Sequence, residues 1–327
     1  MRCTTEDIKK ITQGAIRIFE EDGYTVFRRF TPYQENVLDE RKFTPRQFAN
    51  AGMRLEFYSP AGEISFDYVA FRGGAAKLFS LAVMFNGIEV YKQHCSFEED
   101  IYGHFSIKVP ESEELTKVTV YLPCLGGMRM KDLELPEGYI PCKREKKILM
   151  LGDSITQGAF SDRPWLTYVN IVADKLNAEV LNQGIGGDKF CPRGLDPELP
   201  FEPDVITVAY GTNDWAAAIP DLAGIIEEYF TKLESIYPNT PKYAIPPLWR
   251  GNTDGLVKNG LTLQNVRELV TESALRHGCK VIPSLPLVPP HEDFFHDKTL
   301  HPNSLGFLLY GNAVAEAIKK DLPFFNA

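Results

Sequence analysis

Lys147-Ile148-Leu149-Met150-Leu151, running directly into Gly152-Asp153-Ser154-Ile155-Thr156, is the stretch that decides the fold. The apolar run in it, Ile148–Leu151, is too short for a buried helix. Closed by a Gly-Asp-Ser turn, it reads as a strand covered on both faces. A helix-like stretch follows around Trp165–Leu176, and the alternation then continues. Strands are predicted at Glu179–Asn182, Val205–Tyr210, Tyr243–Ile245 and Lys280–Pro283, and helices near Leu222–Ile236, Leu263–His277 and Leu305–Lys319. Apolar strands alternating with helices specify a parallel sheet with helices on both faces, an α/β fold.

Upstream of this segment the period is different. From about Arg54 to Leu135 the chain reads as short runs rich in Phe, Tyr, Val and Ile, bounded by Gly, Pro, Asn and Ser. Asn86-Gly87 between two such runs is a hairpin signal, because a type I′ turn needs positive φ at both central residues. An all-β sandwich or jelly roll is expected. Near the start, Ile8, Ile11, Ala15, Ile16 and Phe19 fall at helical spacing and predict an N-terminal helix; Thr44-Pro45-Arg46-Gln47-Phe48 reads as the opening of a short one. Pro136, Gly138 and Pro141 punctuate the Pro136–Lys146 stretch, so two units are expected, a β domain over 1–140 and an α/β domain over 141–327.

The composition of the 327 residues is that of a globular protein: 44% hydrophobic, 24% charged, with a net charge of −9. That balance, with no Lys/Arg-rich run, argues against nucleic acid as a partner, since such binding rests on cations neutralising phosphates. No apolar run is long enough to span a bilayer, so no membrane is expected. The beginning lacks the apolar segment of a signal peptide, and the chain reads as cytoplasmic. Six scattered cysteines without a CxxC pair read as reduced thiols rather than a disulfide framework. His291-Glu292-Asp293-Phe294-Phe295-His296-Asp297 has the look of a metal cluster, but its histidines are five apart where one helix face needs four. No metal or cofactor is expected. Oligomeric state is not legible.

In open α/β sheets ligands lie outside the carboxyl ends of the strands. Here those ends carry Gly152-Asp153-Ser154, Asn182-Gln183-Gly184-Ile185-Gly186-Gly187-Asp188 and Gly211-Thr212-Asn213-Asp214, with Asp297 to Asn303 before the last helix. Singly these are ordinary; a Ser after a strand is usually a helix cap. Together they bring a hydroxyl, small residues with free N–H groups, an amide and an imidazole to one crevice. That is an inventory for acyl transfer.

GDSIT, the NxGxxG segment, GTND and the late His-Pro dipeptide, in this order, resemble the four blocks of the SGNH/GDSL hydrolases over about 146–327. The resemblance implies a flavodoxin-like sheet and ester hydrolysis through an acyl-enzyme. It casts Ser154 as nucleophile and oxyanion donor, Gly187 and Asn213 as further oxyanion donors, and His301 as general base. With the β-rich half in front, the chain is similar to two-domain SGNH esterases in which a jelly roll precedes the catalytic domain. Several of these are carbohydrate deacetylases, so an O-acetyl group on a sugar or oligosaccharide is the expected substrate.

The chain departs from that family at the acid. Its Asp ordinarily stands three residues before the His; here that position is Lys298, and Asp297 is four before. Either Asp297 reaches the imidazole through an extra turn residue, or a backbone carbonyl orients it and the pair is a dyad. Asp153 reads as scaffolding of the turn. Trp249, Arg250, Trp215 and His296 are candidates to line a substrate pocket, with packing under a loop the competing reading for the two tryptophans. The alternative to an esterase is a carbohydrate-binding protein with weak or absent turnover, motivated by the shifted Asp. A P-loop, a dinucleotide fingerprint and the GxSxG elbow of lipases are all missing.

Overall fold

The computed structural model describes residues 1–74 and 76–325. The antiparallel strands are β1 (Thr12–Gln13), β2 (Arg17–Glu21), β3 (Tyr24–Arg28), β4 (Arg54–Ser59), β5 (Gly62–Arg72), β6 (Leu78–Phe85), β7 (Ile88–Ser96), β8 (Ile101–Val109), β9 (Thr116–Tyr121), β10 (Gly126–Glu134) and β11 (Ile140–Pro141). They form two sheets, β1-β4-β9-β6-β7 with β11 on β4, and β2-β3-β10-β5-β8. The sheets enclose one core containing Phe57, Phe66, Phe79, Leu81, Val118 and Met130. The β6–β7 hairpin turns at Asn86-Gly87, with φ of 48° and 82°, the conformation a type I′ turn requires.

The N-terminal helix is shorter than its spacing predicts. α1 (Thr5–Ile11) begins at the Thr4/Asp7 capping box and stops at Thr12. Ile16 and Phe19 belong instead to the β2–β3 hairpin and its approach, which turns at Asp22-Gly23 with both φ positive (52° and 77°). α2 (Pro32–Glu40) follows, capped by Thr31, and then a 3-10 turn at Arg46–Phe48.

The second half is built on β12 (Lys146–Gly152), β13 (Ala178–Gly184), β14 (Val205–Ala209), β15 (Lys242–Ala244) and β16 (Lys280–Val281). All pairs are parallel, in the order β13-β12-β14-β15-β16, the flavodoxin-like arrangement. The helices are α3 (Ser154–Gln157), α4 (Tyr168–Lys175), α5 (Thr212–Ala216), α6 (Leu222–Ile236), α7 (Leu263–Arg276) and α8 (Ser304–Asp321). Strand side chains alternate between faces. Ile148 and Met150 therefore join the core under α4 and α8, while Leu149 and Leu151 join the core under α6 and α7. This is why the run is apolar at every position. No helix among the described residues is long and apolar enough to cross a membrane.

Polar side chains cross between the halves, and two groups of them carry buried charges. On one side Arg144 grips Glu56 through two bonds of 2.9 and 2.7 Å, and both Arg54 and Arg144 reach Asp174 at the end of α4 (2.6 and 2.8 Å). On the other, Arg29 is wholly buried and donates to the carbonyls of Ala49 (3.0 Å), Asn182 (2.8 Å), Gly184 (2.6 Å) and Arg46 (3.2 Å). Burial pulls its pKa down to about 9. Carbonyl oxygens, rather than a carboxylate, satisfy this charge, and they include the end of β13 that leads into the glycine-rich loop.

Candidate active site

The turn after β12 is tight. A Cβ on Gly152 would lie 2.0 Å from the Thr156 hydroxyl oxygen, so only glycine fits there. Asp153 caps α3, its Oδ1 accepting the Ile155 N–H at 2.9 Å. Ser154 is the first residue of that helix, 8% exposed, and its Oγ is 2.9 Å from Nε2 of His301. Nδ1 of His301 is in turn 2.7 Å from Oδ2 of Asp297. Asp297 thus reaches the imidazole from four residues back. The extra residue is absorbed by Lys298, which adopts the left-handed conformation at φ 63°.

The loop carrying this pair is closed on itself. His296 N–H donates to the His301 carbonyl (2.7 Å), and Phe295 bridges Pro302. The other carboxylate oxygen of Asp297 accepts the N–H groups of Thr299, Leu300 and His301 at 3.1, 2.7 and 3.1 Å. Burial pushes the Asp297 pKa up, but these N–H groups and the imidazole override it and hold it far below the usual carboxylate range. Burial lowers the His301 pKa, against the opposing pull of Asp297.

Beyond β13, the N–H of Gly186 donates to Oε1 of Gln157 at 2.7 Å, and Gly187 follows with φ 81°. A Cβ there would stand 2.8 Å from the Arg46 guanidinium. Asn213, in the first turn of α5, donates one amide hydrogen to the Asp188 carbonyl at 3.0 Å, which leaves the second for a ligand. Among the described residues the backbone N–H groups of Ser154 and Gly187 take no partner. Ser154, Gly187, Asn213 and His301 line one cavity of about 250 Å³. Its remaining wall includes Arg46, Ala76 and Leu125 from the antiparallel half and Phe160 and Leu300 from the parallel half.

The other candidates lie elsewhere. Trp215 is buried in the α6/α7 core, its indole N–H on the Leu261 carbonyl at 3.0 Å. Trp249 packs on Phe295 with ring centroids 4.9 Å apart. Arg250 donates to the carbonyl and hydroxyl of Thr212, both at 3.2 Å, beneath the turn that presents Asn213. None of the three lines the cavity, a correction to the strand-end argument: these residues do follow strands, but their side chains turn back onto the protein. His296 is exposed, stacks on Phe160 (5.0 Å, 8° between planes) and lines a larger adjoining groove. Asp153 and Asp214, buried beneath the site, have carboxyl groups pushed up to about 7 by burial.

Arg29, Arg46, Gln157 and Phe160 are the site residues that sequence reasoning misses. Gln157 donates to the carbonyls of Gly73 (3.1 Å) and Cys124 (3.2 Å) in the antiparallel half while holding Gly186. No periodicity or motif signals such a reach. The one available hint is position, since Gln157 and Phe160 stand three and six residues after Ser154.

Residues 150–308 match the GDSL-like lipase/acylhydrolase family. This segment is a GDSL-like acylhydrolase domain. A curated acetylxylan esterase/glucomannan deacetylase of Cellvibrio japonicus is 29% identical over 167 residues, covering 38% of this chain and 43% of that protein. The chain is therefore matched to less than half the length of that relative. Among solved structures, a salicylyl-acyltransferase of a tetracycline biosynthetic pathway aligns over 95% of both chains with a TM-score of 0.80 and 18% identity. A family two carbohydrate esterase from Cellvibrio japonicus aligns over 98% of this chain and 97% of its own, with a TM-score of 0.61 and 16% identity. At such identities the likeness is one of fold, and it takes in the antiparallel half as well as the acylhydrolase domain.

Proposed function

We propose that the protein is a serine esterase that hydrolyses small acyl esters, with Ser154 as nucleophile, His301 as general base and Asp297 as the group that orients it. The observation that carries this reading is the continuous chain from Ser154 Oγ through His301 to Asp297, at 2.9 and 2.7 Å, opening on a small cavity. Asp297 fixes the tautomer that leaves Nε2 free to take the Ser154 proton. Ser154 attacks the ester carbonyl, and the tetrahedral oxyanion is held by the N–H groups of Ser154 and Gly187 and the Asn213 amide. Each such donor is worth about 10²–10³ in rate. His301 then returns the proton to the departing alcohol, leaving an acyl-serine. Water, activated by the same imidazole, adds to that ester, and its collapse releases the carboxylic acid and restores Ser154.

A cavity of about 250 Å³ suits a short acyl chain. The substrate class we favour is an O-acetylated carbohydrate. The name of the Cellvibrio japonicus relative supports it. The shift of Asp297 that motivates a catalytically inert alternative is compensated by the Lys298 turn, which supports turnover.

The test is release of p-nitrophenol from p-nitrophenyl acetate and of acetate from acetylated xylo-oligosaccharides. Ser154→Ala should reduce both rates by about 10³-fold or more. Equal rates for the two proteins would overturn the esterase reading.

A further inference from the structure

The chain is acidic overall, with net charge −9, yet the space around the proposed nucleophile is lined by two guanidinium groups that have no acid partner. Arg46, from the 3-10 turn of the antiparallel half, lines the cavity that holds Ser154. Arg72, at the end of β5, lines the adjoining groove of about 750 Å³. The two spaces share Ala76 and Phe160 as walls, so they adjoin between the halves.

Neither arginine has an acid on its guanidinium: Arg46 donates to the Gly186 carbonyl and lies over the Phe43 ring at 5.5 Å, and Arg72 donates to the Gly74 carbonyl at 3.2 Å. Among the described residues neither forms a salt bridge. The carboxylates nearby are already taken. Glu98 is paired with Lys77 (2.5 Å), Asp162 with Arg163 (2.6 Å) and Lys92 (3.4 Å), and Asp188 with Arg41 (2.5 Å). Besides burial, the positive charge of Arg72 pulls the Arg46 pKa down, against a smaller opposing pull from Asp188, so the two cations lie close enough to repel. Two guanidinium groups facing adjoining spaces without an anion are unfavourable by themselves, and an anionic ligand relieves that repulsion.

We infer that Arg46 and Arg72 form an anion subsite, and that the preferred substrate is an acyl ester of an acidic sugar, carrying a carboxylate or phosphate on the alcohol portion. The ring has aromatic partners within reach: Phe160 and His296, stacked on each other at 5.0 Å and 8°, both line the groove. The acyl group enters the smaller cavity toward Ser154, and the anion is received where the cavity and groove meet. This inference rests on the esterase reading for its chemistry, but its binding component can be measured separately.

Two measurements test it. The first titrates glucuronate, glucose 6-phosphate and glucose into the full chain by calorimetry, in low and high salt. At least one acidic sugar should bind, more weakly as salt rises, while glucose does not; whichever of the two binds identifies the anion as carboxylate or phosphate. The second compares kcat/KM for acetylated oligogalacturonides and a 2-O-acetylated sugar phosphate with that for acetylated xylo-oligosaccharides. The acidic-to-neutral ratio should exceed one. It should fall about tenfold in Arg72→Gln, mainly through KM, the scale of a single charge-assisted hydrogen bond in a half-open site. Arg72 is exposed, so its replacement leaves the core intact. Equal binding of glucose and the acidic sugars, or a ratio that Arg72→Gln leaves unchanged, would overturn the inference while hydrolysis persists. Binding of the anion without hydrolysis of any ester would overturn the esterase reading and leave the anion subsite standing.

Discussion

In the parallel half, Ser154, Asn213 and His301 meet because β12, β14 and the loop before α8 all end at one edge of the sheet. In the antiparallel half, Arg29 and Arg46 reach the same crevice from the connections around α2, and they grip it by backbone carbonyls. The first kind of placement follows from topology. The second depends on how two separately cored halves dock. On the proposed reading the parallel half supplies the reacting groups, and the antiparallel half sets the shape and charge of the space in front of them. On this comparison, damage to the first half should remove chemistry outright, whereas damage to the second should loosen or retune it.

The largest expected effect lies in the parallel half. Asp297→Asn should cut kcat by about 10²–10⁴-fold, because an amide hydrogen facing Nδ1 enforces the wrong tautomer. The pH profile should move with it. The base must be neutral to accept a proton, and burial already lowers the His301 pKa. The acid limb of kcat/KM should therefore lie below the ordinary histidine value of about 6.5. In Asp297→Asn, with the anion that raises this pKa removed, the limb should shift to still lower pH; a shift upward would contradict the proposed role.

Next is the seam. Arg29→Met leaves four carbonyls without their donor, among them those of Asn182 and Gly184 beside the glycine-rich loop. We expect a loss of about 1–3 kcal/mol in stability for each carbonyl left without a hydrogen-bond donor. Folded protein should lose about tenfold or more in kcat, the order expected for misplaced oxyanion donors. Thermal melts and steady-state kinetics check both. Unchanged kcat in folded protein would show that the antiparallel half does not position the loop.

A smaller effect concerns the carboxylates beneath the site. Asp214 is buried, one of its oxygens is unpartnered, and its carboxyl is pushed up to about 7 against about 4 unfolded. Between those values the folded state holds the extra proton. The stability this group contributes is thus complete below about pH 4 and lost as pH rises through about 7. Asp214→Asn should raise Tm at pH 8 by about 2 °C or more and change it little below about pH 4, where both states hold the proton. The smallest effect should come from Lys298→Gly. Glycine adopts φ 63° without strain, and kcat should stay within about twofold.

These expectations also separate what the sequence makes legible from what it hides. The parallel sheet is readable because every residue of Ile148–Leu151 is apolar, and only a strand buried on both faces demands that. That Ser154, Asn213 and His301 share a crevice is readable because strand ends converge by rule. The rule locates a backbone and not the direction of a side chain, which is why Trp215, Trp249 and Arg250 follow strands yet do not line the cavity. At the N-terminus, the accidental continuation of the Ile8/Ile11 helical spacing through Ala15, Ile16 and Phe19 obscures the Asp22-Gly23 turn, although it is the same kind of signal as Asn86-Gly87. Arg29 and Arg46 leave no signal at all. An arginine that binds carbonyls some 150 residues away in the chain follows no local pattern.

The most direct test of the central claim is active-site labelling. The folded protein is treated with a fluorophosphonate, and the modified residue is located by peptide mass spectrometry. The account predicts a single adduct on Ser154, formed in step with loss of p-nitrophenyl acetate hydrolysis and much slower in His301→Ala. Loss of activity with the adduct on another residue, or full activity with Ser154 modified, would contradict it.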